Sequence, residues 1–321
     1  MSFFIKNWKK ILPGVGFSLL LYLFWRFDIK EIIFALSQAD LRYFLFLPVT
    51  FFLILLVQTW KWKLILRAQN IGGIDFFWLF KIQLIGFYYS MWTPGRAGIF
   101  LKAPYLKEKA GRSLEECSLG IFVDKLLDLS VLFIFSVSGA FILLGQFPSL
   151  LPEAVFALLA FCFFLFIFYS KRRMKFLLKH FFYLFVPGKL KDGLRNSFHL
   201  FYKETPAMGK LLPPFLLTAL CWILILSQTF IVTKSLSIDV NYFVFIPIAA
   251  LATMAGFLPI TMSGLGAREA AFVVLFQNFG IVPQKLIAAS LLSVIIPYIL
   301  FLIIAAIFVK GFFLKKKNRV S

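Results

Sequence analysis

Two short segments place proline, glycine and arginine together inside apolar sequence, at residues 92–102 and 259–269. Backbone that leaves a regular helix at membrane depth is tolerated only where protein or a water-filled cavity satisfies its polar groups. Each segment carries an arginine, Arg96 or Arg268, and a guanidinium donates two parallel hydrogen bonds to a phosphate. One such segment in each half of a chain is typical of a substrate site in a repeat-built transporter. The alternatives are chance similarity and arginines that serve only at the membrane interface or in salt bridges.

The second segment ends where a new helix is expected to begin, close to Ala270. The free N–H groups and the positive dipole end of that helix would, with Arg268, form a site for an anionic phosphate. The candidate substrate-binding residues of the two segments are Pro94, Gly95, Arg96, Gly98 and Lys102 in the first, and Pro259, Gly264, Gly266, Arg268 and Glu269 in the second.

Asp124 and Asp128 form a third candidate group. They are four residues apart, so both face one side of a helix. Two carboxylates this close require cationic partners, a bound cation or a shared proton. The counter-charges expected from the motifs are Arg96, Lys102 and Arg268. A structural ion-pair network, a proton-coupled or charge-relay role, and direct contact with a cationic headgroup all remain open.

The composition predicts the class of fold in which these residues lie. Hydrophobic residues make up 61% of the chain and charged residues 15%, against about 25% charged residues in soluble domains. This excludes a soluble fold and predicts an all-α polytopic integral membrane protein with about eight transmembrane helices and an inverted repeat. Residues 76–92 are predicted to form a re-entrant or broken helix, because Lys81 and Gln83 interrupt them. The predicted spans lie near 11–27, 43–60, 117–144, 152–170, 211–233, 243–258, 267–281 and 285–309.

The net charge of +20 is distributed in clusters, and basic clusters of membrane proteins lie in the cytoplasm. Both termini are therefore predicted to be cytoplasmic, which requires residues 76–92 to enter the membrane and return. We predict a single transmembrane domain over residues 1–321, a cytoplasmic basic loop with an interfacial helix at 171–210 and a basic cytoplasmic tail at 310–321. The basic clusters are the N-terminal lysines, Lys61 with Lys63 and Arg67, Lys102 with Lys107, Lys109 and Arg112, residues 171–195 and residues 315–319.

The sequence lacks the residues that metal sites and nucleotide-binding sites usually require. His180 and His199 are the only histidines, and three dispersed cysteines have no CxxC spacing, so no metal site is expected. The sequence has no nucleotide-binding motif. We therefore expect a protein that is not an enzyme, that needs no cofactor and that binds no nucleic acid.

The three motifs resemble those of the flippase-like family, also described as the lysylphosphatidylglycerol synthase transmembrane region. Its Pro-Gly-Arg-Ala-Gly-Glu motif with a following basic residue is similar to residues 94–99 and Lys102. Its Glu-Arg-x-x-Asp motif is similar to residues 124–128, and its late Pro-x-x-x-Gly-Gly-x-Gly-x-Arg-Glu motif is similar to residues 259–269. The chain departs from these patterns at Ile99 for Glu, at Asp124-Lys125 for Glu-Arg and at Ser263 for Gly.

The resemblance implies a multi-pass protein of the plasma (inner) membrane that moves a phosphate-bearing lipid, anionic or aminoacylated, between leaflets. Bifunctional family members carry a separate cytoplasmic domain that aminoacylates the lipid, and no such domain is recognised here, so synthase activity is not expected. A lipid-modifying enzyme partner and a homo-oligomer are both compatible with the resemblance. The alternatives are a membrane component of a lipid headgroup or glycosyl transfer system and an ion-coupled transporter of small solutes.

Overall fold

The computed structural model describes residues 18–91, 93, 97–146, 148, 152, 159, 208–257, 264 and 266–317. Regular secondary structure within these residues is entirely helical, which confirms the predicted all-α class. The predicted span at 152–170 and the predicted interfacial helix within 171–210 lie outside the described residues, apart from a few positions, and the span at 11–27 is described only from residue 18.

We number the helices in chain order. They are α1 (Ile29–Ser37), α2 (Leu47–Ala68), α3 (Phe76–Met91), α4 (Lys102–Ala110), α5 (Leu114–Gln146), α6 (Met208–Ser235), α7 (Tyr242–Gly256), α8 (Ala267–Phe276) and α9 (Pro283–Lys317).

Local sequence explains where several of these helices begin. Asp75 accepts a hydrogen bond from the backbone N–H of Trp78 at 2.9 Å at the start of α3. Asn241 accepts one from the N–H of Phe243 at 2.9 Å at the start of α7. These side chains satisfy N–H groups that have no partner within the first turn.

Four helical segments within the described residues are long and apolar enough to cross a membrane: Leu41–Ala68, Leu114–Gly145, Gly209–Ser235 and Pro283–Phe308. Helices α7 and α8 have 15 and 10 residues, which correspond to about 22 and 15 Å against a hydrocarbon core of about 30 Å. The spans expected near 243–258 and 267–281 are therefore two short helices that pack against each other. The prediction of a separate crossing for each is therefore not confirmed.

The two halves of the chain repeat one order of elements. A long span, a short helix, a break, a second short helix and another long span occur as α2-α3-α4-α5 and again as α6-α7-α8-α9. The corresponding spans α2 and α6 pack antiparallel. Gln228 near the end of α6 donates to the carbonyl of Leu47 at the start of α2 at 3.1 Å, whereas Leu211 at the start of α6 packs near Ile65. The first long spans of the two halves therefore run in opposite directions.

Each final span connects both hydrophobic cores. The first core contains Ile121 and Phe122 of α5 together with Phe301 of α9. The second core contains Leu132 of α5 together with Leu286 of α9. Helices α5 and α9 thus leave the core of their own half and complete the core of the other half.

Helices α5 and α7 approach each other closely at Gly139. A Cβ atom there would lie 2.3 Å from the carbonyl oxygen of Pro247. We expect Gly139→Ala to destabilise the fold by about 1–3 kcal/mol, because extra atoms in a close-packed contact force backbone shifts. Thermal unfolding of the purified protein in detergent measures this change. Gly145→Ala on the same helix is the control, since its Cβ meets nothing within 4 Å; equal unfolding temperatures for the two variants would contradict the close contact.

Candidate functional site

A buried group of four charged side chains lies between α2 and α5. Lys61 Nζ is 2.8 Å from Asp124 Oδ1 and 2.6 Å from Asp128 Oδ1. Lys125 Nζ is 2.5 Å from Asp128 Oδ2 and 3.8 Å from Asp124 Oδ2. We call Lys61, Asp124, Lys125 and Asp128 the lysine–aspartate cluster. The prediction that both aspartates face one side of a helix is confirmed, since Lys61 contacts both.

The counter-charges in this cluster are not those expected from the motifs. Lys102 and Arg268 form no ion pair with either aspartate. Lys61 takes this role, although its position in a basic cluster had suggested a cytoplasmic surface charge. Its place on the buried apolar stripe, seven residues after Ile54 and four before Ile65, is the signal that would have identified a buried lysine.

Side-chain exposure decreases from one edge of this cluster to the other. Lys125 is 35% exposed, Asp128 12% and Lys61 3%. The cluster is therefore accessible at Lys125 and closed at Lys61. A buried ion pair stabilises a fold only when each charge is well paired, and the two lysines here balance the two carboxylates.

Lys102 lies beside this cluster without belonging to it. Its side chain is fully buried, on the same face of α4 as Ala103 and Leu106. Lys102 Nζ donates to Gln83 Oε1 at 2.9 Å and lies 4.1 Å from the centre of the Trp62 ring. Gln83 Nε2 in turn donates to Gln58 Oε1 at 3.4 Å, so a chain of polar contacts connects α4, α3 and α2.

A second polar group surrounds the break between α7 and α8. Arg268 Nη2 is 3.0 Å from Glu269 Oε1 and 2.5 Å from the carbonyl oxygen of Ser290. The same nitrogen donates to Ser290 Oγ at 3.1 Å and to Ser293 Oγ at 3.3 Å. We call Arg268, Glu269, Ser290 and Ser293 the arginine–glutamate cluster. Among the described residues, Nη1 and Nε of Arg268 have no hydrogen-bond partner, and the side chain is 18% exposed.

The amino end of α8 is already occupied by a carboxylate of this chain. The backbone N–H of Gly266 donates to Glu269 Oε2 at 2.6 Å, and Glu269 is fully buried. The N–H of Arg268 donates to the carbonyl of Gly264. The expectation that these N–H groups are free for a ligand is therefore wrong for Gly266 and Arg268.

Glycine is required at both breaks by close approaches of the backbone. Gly264 has a φ of 85°, and a Cβ there would lie 2.7 Å from the carbonyl oxygen of Gly256. A Cβ on Gly98 would lie 2.2 Å from the carbonyl oxygen of Tyr89. The N–H of Gly98 donates to Thr93 Oγ1 at 2.7 Å. Each break thus folds back onto the short helix that precedes it.

The structure distributes the candidate residues over two groups. Asp124 and Asp128 lie in the first with Lys102 nearby, and Gly264, Gly266, Arg268 and Glu269 lie at the second break. Pro94, Gly95, Arg96 and Pro259 lie outside the described residues. Within the described part of the chain, no group of three or more His, Cys, Asp or Glu residues is arranged to hold a metal ion.

The profile of a protein family described as the lysylphosphatidylglycerol synthase TM region matches residues 11–305. The chain belongs to this family. The match includes both helix breaks, Lys102 and the charged residues of the two polar clusters, so these features lie within the family's membrane region.

Two archaeal relatives are similar over most of their length. A UPF0104 membrane protein of Methanothermobacter thermautotrophicus is 26% identical over 285 residues, which are 82% of this chain and 83% of the relative. A UPF0104 membrane protein of Methanocaldococcus jannaschii is 22% identical over 333 aligned positions, covering 96% of this chain and 97% of the relative. Both are described as membrane proteins, in agreement with the apolar spans.

Proposed function

We propose that this protein translocates a membrane lipid and carries its phosphate-bearing headgroup from one leaflet to the other. The observation that carries the proposal is the repeated order of helices around two breaks, each followed by a buried charged side chain: Lys102 after the first break and Glu269 after the second. Charged side chains inside a membrane are costly and usually mark a substrate pathway. Membership of a family named for a lipid synthase membrane region supports a lipid as the substrate.

The proposed mechanism uses the two short helix pairs as the moving parts. The headgroup occupies the polar interior while the acyl tails remain in the bilayer. Inverted repeats can exchange conformations, so that the interior opens to one leaflet and then to the other. The family supports a plasma-membrane location, and the basic clusters of the sequence, including residues 315–319, favour a cytoplasmic side for the segments that carry them.

Arg268 is the proposed phosphate ligand of the second break. Its Nη2 edge is held by Glu269 and Ser290, which fixes the plane of the guanidinium. The Nη1 and Nε atoms keep donors for a phosphate, each on its own side of the guanidinium. The carboxylates of Glu269, Asp124 and Asp128 then hold the arginine and lysine side chains of the two clusters in place. Arg96 remains the predicted counterpart of Arg268 in the first break.

Arg268→Lys tests this role. Lysine keeps the positive charge that Glu269 requires but lacks the planar guanidinium, whose other nitrogens can donate to a phosphate while Nη2 contacts Glu269. We therefore expect folding close to wild type and a rate of headgroup movement about tenfold lower. The measurement uses protein reconstituted in vesicles that contain trace headgroup-labelled lipids. An impermeant quencher reports the fraction of label in each leaflet over time.

Arg112→Lys is the matched control, because Arg112 is exposed and forms only a 3.3 Å hydrogen bond to the carbonyl of Asn70 and a 3.8 Å contact with Glu116. We expect it to retain wild-type transport. If folded wild-type protein moves no labelled lipid, translocation is the wrong function. If Arg268→Lys transports as fast as Arg112→Lys, the phosphate is bound elsewhere.

A further inference from the structure

Lys102 is a buried cation without a carboxylate. Its side chain is fully buried, and no carboxylate of the described residues lies within 4.0 Å of its amino group. Ile99, one turn earlier, is apolar and buried. A buried charge of this kind is costly unless a ligand compensates it.

The surroundings of Lys102 accommodate it closely. A Cβ on Gly86 would lie 2.4 Å from Lys102 Cγ, so the absence of a side chain at Gly86 makes room for the lysine stem. Gln83 Oε1 and the face of the Trp62 ring contact the amino group. Both are weaker partners for an ammonium group than an anion would be.

Trp62 supplies a second unused donor at the same place. Its side chain is fully buried, and its indole N–H has no hydrogen-bond partner among the described residues. Buried polar groups nearly always have a partner. An anion beside Lys102 would compensate the ammonium charge, and the unpartnered indole N–H of Trp62 is a second donor on a residue that contacts this lysine.

The charge balance of the interior indicates the sign of the ligand. The two lysines and two aspartates of the lysine–aspartate cluster neutralise each other, and Arg268 is neutralised by Glu269. Lys102 is a further buried basic side chain, and among the described residues no carboxylate lies within 4.0 Å of its amino group.

We propose that Lys102, with the indole N–H of Trp62, binds the phosphate of a headgroup that carries one net negative charge, and that it selects such lipids over zwitterionic and cationic aminoacylated ones. This inference rests on the proposed translocation and adds the substrate class to it. Arg268 is paired with Glu269, so its phosphate site adds no net positive charge to the interior. Lys102 has no such partner among the described residues, so it is the residue expected to select for the charge of the headgroup.

Lys102→Met tests the selection. Methionine has a similar length and no charge, so the apolar contacts over Gly86 remain. The wild-type protein, reconstituted in phosphatidylcholine vesicles, is expected to move trace labelled phosphatidylglycerol about tenfold faster than labelled phosphatidylcholine or lysylphosphatidylglycerol. The Lys102→Met variant is expected to lose this preference. Lys107→Met is the matched control, because Lys107 is an exposed lysine of the same helix.

Stability separates a binding role from a structural one. Replacing an uncompensated buried charge by an apolar side chain leaves stability unchanged or raises it, so we expect Lys102→Met to unfold at or above the wild-type temperature. A lower unfolding temperature together with an unchanged lipid preference would overturn the inference and assign Lys102 a structural role.

The remaining outcomes distinguish this inference from the function on which it rests. Equal or faster movement of lysylphosphatidylglycerol by the wild-type protein overturns the charge selection but leaves translocation intact. Movement of no lipid by folded wild-type protein overturns both. A further arm measures uptake of radiolabelled inorganic phosphate into the vesicles; uptake that depends on Lys102 and proceeds without lipid movement would show that the phosphate is free rather than lipid-borne, and would overturn the lipid assignment.

Discussion

Lys61→Met is expected to prevent most of the protein from accumulating in a folded form. Lys61 contacts Asp124 at 2.8 Å and Asp128 at 2.6 Å, and its side chain is 3% exposed. Without it, Lys125 is the only cation among the described residues that still forms an ion pair with the two carboxylates. Removing one partner of a buried ion pair costs about 3–5 kcal/mol, which is a large fraction of the stability of a typical protein.

The yield of monodisperse protein in detergent and its unfolding temperature measure this loss. The double variant Lys61→Met/Asp124→Asn is expected to recover most of it, because the 2.5 Å pair of Lys125 and Asp128 remains and is balanced. Lys63→Met is the control, since Lys63 is partly exposed and lies 5.9 Å from the centre of the Phe76 ring. Equal losses for Lys61→Met and Lys63→Met would show that the cluster contributes little to folding.

Glu269→Ala is expected to have the second large effect. The carboxylate accepts hydrogen bonds from the N–H of Gly266 at 2.6 Å, from Arg268 at 3.0 Å and from Ser290 Oγ at 3.3 Å. Alanine removes all three and leaves the guanidinium without its counter-charge. We expect a destabilisation of about 3–5 kcal/mol and a loss of any transport that depends on the orientation of Arg268.

Glu269→Gln is expected to have an intermediate effect on stability. Glutamine retains one oxygen that can accept from Gly266 but carries no charge, so its unfolding temperature should lie between those of alanine and wild type. Glu108→Ala, an exposed glutamate of α4, is the control and should resemble wild type. The prediction fails if alanine at 269 is no more damaging than alanine at 108.

The sequence predicts the helical class and the common orientation of Asp124 and Asp128, because both follow from local periodicity. It does not predict their partner. Lys61 belongs to a basic run with Lys63 and Arg67, and charge patterning alone assigns the whole run to the cytoplasmic surface. Burial of one lysine from such a run depends on which helix faces α2, and that information is not local.

The two short helices after α6 show the same limit of sequence-based prediction, here for whole helices. Residues 243–258 and 267–281 are apolar enough to resemble spans, but α8 ends at Phe276, after ten residues. Hydropathy measures how apolar a segment is. A short helix enclosed by neighbouring spans is as apolar as a helix that crosses the membrane, so hydropathy does not separate the two. Only the packing of α8 against α7 and α9 distinguishes the two.

The exchange of final spans between the two cores has a consequence for synthesis in the cell. Phe301 of α9 packs against Phe87 of α3, with ring centres 4.9 Å apart, and Phe308 packs against Phe80 at 5.3 Å. These partners lie in α9, which follows the other described members of the first core in the chain and is therefore translated after them. The first core stays incomplete until α9 has been made, so its completion depends on the second half of the chain.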